Sequence, residues 1–104
     1  MAVNCPKQLQ GLRDEIVRLL RPERIILFNR KQNTEGGLTA IKLCVVIPEG
    51  DAKQAEQQVY MELDAEIPFD ILVYTQAEWE RLLSIPLSFA GRIRQTGSVL
   101  YEAD

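Results

Sequence analysis

The sequence predicts an α+β fold: a small mixed β-sheet with helices packed mainly on one face. Three observations support this class. Apolar residues recur at helical spacing between Leu9 and Leu20. Residues Thr39–Ile47 form an apolar-rich run of strand length, in which successive side chains point to opposite faces. Thr75-Gln76-Ala77-Glu78 is a capping box, which marks the start of a later helix. The chain has 104 residues, so a single domain over residues 1–104 is expected.

The first half of the chain is predicted to be helix, strand, loop and strand. Asn4 and Pro6 suit the start of the first helix, and Pro22 ends it. Residues 24–28 form a short apolar strand, and residues 29–38 form a loop whose turn signal is Gly36-Gly37. On the second strand, two sets of side chains are expected to point in opposite directions. One set is Ile41, Leu43, Val45 and Ile47, and the other is Ala40, Lys42, Cys44 and Val46.

The second half is predicted to add three helices and two extended segments. Asp51 caps a helix over residues 52–66, whose inner stripe contains Ala55, Val59 and Leu63. Residues 67–74 form the third strand, and Pro86 breaks the helix that Thr75 begins. The last helix, residues 87–95, is expected to end at Gly97 in a left-handed cap, and residues 98–101 extend away from it.

The composition restricts the classes of function. Hydrophobic residues make up 46% and charged residues 26%, the net charge is −3, and the pI is about 5.0. No nucleic-acid partner is expected, because binding to phosphate backbones needs a clustered positive excess. Two local basic clusters are either solvated surface or anion-binding sites. They are Arg21, Arg24, Arg30 and Lys31 in the first half, and Arg81, Arg92 and Arg94 in the second.

Histidine and cysteine usage narrows the chemistry further. The chain has no histidine, which excludes histidine-based nucleophilic and general base catalysis. Its two cysteines, Cys5 and Cys44, form neither a disulfide framework nor a metal-binding spacing, and Cys44 is expected to act as a small core residue. The N-terminal MAVNCPKQLQ lacks the apolar run of a signal peptide, and no segment approaches the ~18 apolar residues of a membrane span. A cytoplasmic protein with no membrane association is therefore expected.

Four stretches together resemble the minimal nucleotidyltransferase domain of the DNA polymerase beta superfamily. RPERIILF resembles the exit of that family's first helix and its first strand, and TAIKLCVVI is similar to its metal-binding strand. IPFDILVYTQAEWERL resembles the third-carboxylate strand with the helix that follows, and RQTGSVLYE the C-terminal ending. The resemblance implies metal-dependent nucleotidyl transfer. Two carboxylates at i and i+2 on one strand and a third on its neighbour would hold two magnesium ions against a triphosphate.

The sequence departs from this family's pattern at most catalytic positions. Asn29-Arg30 stands where the family has Gly-Ser, and Ala40 and Lys42 stand where it has two aspartates. Asp70 alone matches, at the third carboxylate. We therefore expect no metal and no cofactor. We also expect the Lys42 ammonium to occupy the place of the metal in a partly buried ion pair with Asp70. Asn29, Arg30 and Lys31 lie at the family's nucleotide edge, where they are candidates for holding an anion without metal.

Several functions follow from the resemblance. The first is a catalytically inactive domain that acts by binding a protein. The implied partner is a helical HEPN-type toxin, with this chain as the antitoxin, and a homodimer is the other option. The second is magnesium-dependent AMP transfer at a rearranged site, with Asp70 assisted by a displaced acid. The third is nucleotide binding without metal. The candidate acids are Glu35, Glu49 and Asp51. The large aromatics Trp79, Phe89 and Tyr101 either pack the helices on the sheet or contact a partner.

Overall fold

The computed structural model describes residues 7–65 and 67–103. These residues form four helices and four strands in the order α1 (Lys7–Leu20), β1 (Arg24–Gln32), β2 (Leu38–Ile47), α2 (Ala52–Glu62), β3 (Phe69–Thr75), α3 (Gln76–Leu83), α4 (Phe89–Thr96) and β4 (Ser98–Glu102). The predicted helix start at Asn4 and Pro6 and the environment of Cys5 lie outside the described residues. The helix predicted over residues 52–66 is shorter than expected, since it ends at Glu62 with Leu63 as its cap. None of the described helices has the length and apolar character needed to cross a bilayer.

The strands form one small mixed sheet, as the sequence predicts, but this sheet has four strands and not three. The strand order is β3-β2-β1-β4, and β2 and β3 run parallel while the other pairs are antiparallel. A tight turn joins β1 to β2, in which the Asn33 side chain accepts hydrogen bonds from the backbone N–H groups of Glu35 and Gly37. Gly36 has a φ of 87°, which glycine adopts without steric cost. The parallel pair β2–β3 is connected through α2, so α2 is the crossover that places β3 beside β2.

Helices α1 and α2 pack on one face of the sheet. All four side chains predicted for the inner face of β2 are buried there, from Ile41 at one end to Ile47 at the other. They pack against Leu12 and Ile16 of α1 and Val59 of α2. Burial of branched apolar side chains stabilises this layer by about 1.5–3 kcal/mol per side chain. The predicted α+β class, a small mixed sheet with helices packed against it, is confirmed.

Helices α3 and α4 cover only part of the other face. Cys44 and Val46 of β2 are buried under Trp79 of α3 and Ile93 of α4, in a second and smaller apolar cluster. Closer to the start of β2, the same face carries Lys42, which is exposed. One half of this face is therefore closed by helices, and the other half is open to solvent.

Several predicted boundaries were wrong. Strand β1 continues to Gln32, so Asn29, Arg30 and Lys31 lie on a strand and not in a loop. Helix α4 begins at Phe89, with Ser88 as its cap, and residues 98–102 form a fourth strand that pairs with β1. The capping box at Thr75 and the Asp51 cap are confirmed, since both side chains accept hydrogen bonds from backbone N–H groups of their helices.

Gly97 ends α4 for a different reason from the one predicted. Its φ of −80° and ψ of 162° are extended and not left-handed. A Cβ at this position would lie 2.4 Å from a methyl carbon of Ile26 and 2.6 Å from the carbonyl oxygen of Ile93. Glycine therefore allows the end of α4 to approach β1 closely.

Candidate functional site

A β-bulge in β1 shapes the open half of the sheet. Leu27 is paired with Leu43 and Asn29 with Lys42, so Phe28 is an extra residue on β1. Paired residues of neighbouring strands share a face, so Asn29 lies on the same face as Lys42. The bulge also lets Phe28 pack into the apolar cluster on that face, although it directly precedes Asn29.

The strand register brings the positions singled out by the resemblance together. Lys42 is paired with Asp70 across the parallel strands β2 and β3, and Lys31 is paired with Ala40 across β1 and β2. Ala40 and Lys42 are two residues apart on one strand and so share a face. The prediction that Lys42 and Asp70 lie on adjacent strands and the same face is therefore confirmed.

The predicted ion pair between these two side chains was wrong. Within residues 7–65 and 67–103, the ion pairs are Arg13–Asp14, Arg18–Glu15 and Arg24–Glu102. Lys42 and Asp70 are both exposed and not partly buried. An exposed pair gains only about 0–1 kcal/mol and restricts a long side chain, so water can solvate both charges instead.

A groove of about 130 Å³ lies on this half of the sheet. It is lined by residues that include Asn29, Lys31, Ala40, Lys42, Pro68 and Asp70. Arg30 also borders the groove. However, Arg30 is paired with Ile41, and the Ile41 side chain is buried against α1 and α2 on the opposite face of the sheet. Asn29 and Lys31 are therefore better placed than Arg30 to contact a ligand in the groove.

A second cavity of about 230 Å³ adjoins the groove and shares Asn29 and Lys42 with it. Its other wall is α4, which contributes Phe89, Arg92 and Thr96. The sequence placed Arg92 in a basic cluster but gave no signal that α4 packs beside β1. Only the tertiary fold therefore places Arg92 at the same cavity as Lys42.

The charge balance of the two cavities is positive. Lys31, Lys42 and Arg92 line them, and Asp70 is the acidic residue among the lining side chains. Among the described residues there is no group of three or more His, Cys, Asp or Glu that could hold a metal ion. Chemically, this arrangement offers ammonium, guanidinium and amide donors, which suit an anion such as a phosphate or a carboxylate.

The three acids considered as replacements for the missing carboxylates do not line the groove. Asp51 lies beyond the far end of β2, where its carboxylate accepts hydrogen bonds from the backbone N–H groups of Lys53 and Gln54. Glu49 precedes it in the same turn, and Glu35 is an exposed residue of the β1–β2 turn. A rearranged carboxylate site around Asp70 has no support from these positions.

Cys44 is the residue next to Lys42 on the same face of β2, towards the closed half. Its thiol is fully buried, which raises its pKa to about 12. A thiol with such a pKa stays protonated at neutral pH, and it is then a poor nucleophile. The prediction that Cys44 acts as a core residue is confirmed.

Comparison with known proteins adds no identification. No protein-family model, curated protein or solved structure matches this chain. The nucleotidyltransferase resemblance therefore remains a prediction from the motifs quoted above.

Proposed function

We propose that this chain is a nucleotidyltransferase-like domain that does not carry out metal-dependent transfer and that acts by binding another protein. The observation that carries the proposal is the strand register, which places Lys42 beside Asp70 on the open face of the sheet. By the resemblance, Lys42 stands at the position of a metal-binding carboxylate. An ammonium group there repels a divalent cation, and the single carboxylate of Asp70 does not offset that repulsion.

The resemblance also suggests the kind of protein that is bound. In toxin–antitoxin pairs of this family, the nucleotidyltransferase-like chain is the antitoxin and a helical HEPN-type protein is the toxin. A chain without metal ligands would neutralise such a toxin by contact alone. The resemblance to this family is what supports this choice of partner.

The test of this proposal has two parts. The purified chain is incubated with radiolabelled ATP and Mg²⁺ or Mn²⁺, alone and with a partner that has been identified by affinity purification and mass spectrometry. We expect a stoichiometric complex reconstituted from the two purified proteins, and no transfer of AMP to either of them. AMP transfer that needs the divalent ion and disappears in Asp70→Ala would refute the proposal and establish the enzyme alternative.

A second candidate function is binding of a nucleotide or another phosphate compound without metal. It is favoured by the adjoining cavities, which place Lys31, Lys42 and Arg92 around one continuous open surface. Titration calorimetry with ATP, in the presence of Mg²⁺ or of EDTA, tests it. Binding that is unchanged by EDTA, weakened in Lys42→Ala and Arg92→Ala, and unaffected in the α2 control Lys53→Ala would support this function. Absence of heat with the wild-type chain would exclude it.

A further inference from the structure

The connection between α3 and α4, together with the first residue of α4, exposes three large apolar side chains within five residues. Ile85 is 45% exposed, Leu87 101% and Phe89 52%. We call these three residues the 85–89 surface. Single exposed apolar residues are ordinary in soluble proteins, but neighbouring ones mark an interaction site more often than isolated ones do.

Leu87 combines two unfavourable features. Its side chain is fully exposed, and its φ of 62° lies in the left-handed region, which a leucine adopts only with strain. Glycine or asparagine would satisfy this backbone conformation better and would avoid the exposed apolar side chain. A residue that is unfavourable in both respects contributes little to the folded chain alone, which points to a role in binding.

The charge around the 85–89 surface indicates what it binds. The segment from Arg81 to Gly97 contains three arginines and neither aspartate nor glutamate, in a chain whose net charge is −3. All three arginines are exposed, and none of their guanidinium groups takes part in the ion pairs or side-chain hydrogen bonds found among the described residues. Arg92 also lines the same cavity as Phe89 and Lys42. Phe89 of the 85–89 surface thus lies beside two cationic side chains that have no ion-pair partner among the described residues.

We propose that the 85–89 surface, together with Arg92 and Lys42, docks an acidic segment of a partner protein that carries an aromatic or aliphatic side chain between its acids. The apolar side chain would pack on Leu87 and Phe89, and the carboxylates would pair with the two cations. The proposal rests on the protein-binding function proposed above and specifies the surface and the chemistry of the partner.

Two other occupants fit the surface less well. In a symmetric dimer formed through it, the arginines of one copy would face those of the other, and no acidic side chain within the segment would neutralise them. A bilayer would require all the apolar side chains of the surface to project outward, as Leu87 does. Phe89 instead packs edge-on against Phe28, with ring centroids 5.7 Å apart, and lines a concave cavity.

The test uses the whole chain as bait for a phage library of random dodecapeptides. Binders are then synthesised and measured by fluorescence anisotropy against the wild type, Leu87→Asn and Arg92→Glu. The matched control is Met61→Ser, because Met61 is an exposed apolar residue of α2. We expect enriched peptides to carry an apolar residue flanked by acids. Their affinity should fall about tenfold or more in Leu87→Asn and Arg92→Glu and stay unchanged in Met61→Ser.

A thermal melt separates loss of binding from loss of folding. Leu87→Asn should melt at the wild-type temperature or a few degrees above it, because asparagine tolerates a positive φ. Failure to enrich acidic peptides, or affinities insensitive to Leu87→Asn and Arg92→Glu, would overturn the proposal. The proposal would also be overturned if no peptide is enriched and Leu87→Asn instead abolishes a concentration-dependent dimer or binding to phosphatidylserine vesicles.

This test is independent of the assay for catalysis. Metal-dependent AMP transfer would refute the non-catalytic function and leave the docking result standing. A chain that is inactive with ATP and also selects no acidic peptide would refute the docking proposal alone.

Discussion

Two substitutions should convert the open half of the sheet into a divalent-metal site. Ala40 and Lys42 lie on one face of β2, and Asp70 is paired with Lys42 on β3. The double variant Ala40→Asp/Lys42→Asp would therefore place three carboxylates on one face of two neighbouring strands, which lie about 4.8 Å apart. This is the ligand arrangement that the resemblance implies for active members of the family.

The expected gain in affinity follows from the charges and their exposure. Lys42 and Asp70 are exposed, so the dielectric constant around them is close to that of water. At about 4 Å, two unit charges then interact by about 1 kcal/mol, and a divalent ion doubles this to about 2 kcal/mol. Replacing the ammonium of Lys42 by a carboxylate changes a repulsion of about 2 kcal/mol into an attraction of similar size. The total of about 4 kcal/mol corresponds to roughly a thousandfold in affinity, before any contribution from position 40.

Titration calorimetry with Mn²⁺ measures this gain directly. The wild type should give no saturable heat and the double variant a single site, which Asp70→Ala in the same background should abolish. Lys53→Asp is the matched control, because it reverses a charge at an exposed position of α2. Equal Mn²⁺ affinity in the wild type and the double variant would show that Lys42 does not oppose metal binding, and the proposed reason for inactivity would then be wrong.

Three further predictions concern stability, each measured by urea unfolding. Gly97→Ala should lower the free energy of unfolding by about 1–3 kcal/mol through overpacking against β1. Gly11→Ala is the control in α1, where no neighbouring atom lies within 4 Å, and it should raise the free energy of unfolding by about 0.5–1 kcal/mol. Equal effects of the two variants would contradict the close approach at Gly97. Thr75→Ala should lose about 1 kcal/mol because the capping box is removed, and an unchanged midpoint would argue against that cap. Burial raises the pKa of the Cys44 thiol from 9.0 to about 12, so above pH 9.0 the unfolded state releases a proton that the native state keeps. The stability that this provides is complete below pH 9.0 and is lost as the pH rises towards 12. Cys44→Ala should therefore lose less stability over this range than the wild type, and parallel pH profiles would contradict the assigned pKa.

The sequence was most informative where the side-chain pattern within one helix or strand determines the structure. Side-chain alternation along β2 separated Ile41 from Lys42 correctly, because a strand has only two faces and one of them is fully buried here. The helix caps at Asp51 and Thr75 were equally predictable, since each depends on a side chain and a backbone N–H group two or three residues away. Local chemistry was sufficient in all these cases.

Prediction failed where polar residues lie on regular structure and where distant segments meet. Asn29, Arg30 and Lys31 were assigned to a loop because consecutive polar residues are typical of loops. However, their hydrogen bonds are satisfied by pairing with β2, and the open face does not require apolar side chains. The ion pair between Lys42 and Asp70 failed for a related reason. The adjacent strands and the shared face of the two residues were predicted correctly, but the exposure of the open half was not. Exposure decides whether two opposite charges pair or stay solvated.

The candidate site therefore depends on a backbone contact that is remote in sequence from its charged residues. Gly97 lets α4 lie close to β1, and α4 supplies both Arg92 at the cavity and Phe89 at the 85–89 surface. The bulge at Phe28 contacts the same helix at its other end, through the edge-on packing of Phe28 against Phe89. A helix held at both points gives Arg92 and Phe89 fixed positions relative to Lys42. The basic cavity and the apolar surface are consequently two parts of one preorganised face, and a ligand that contacts both would not have to order α4 on binding.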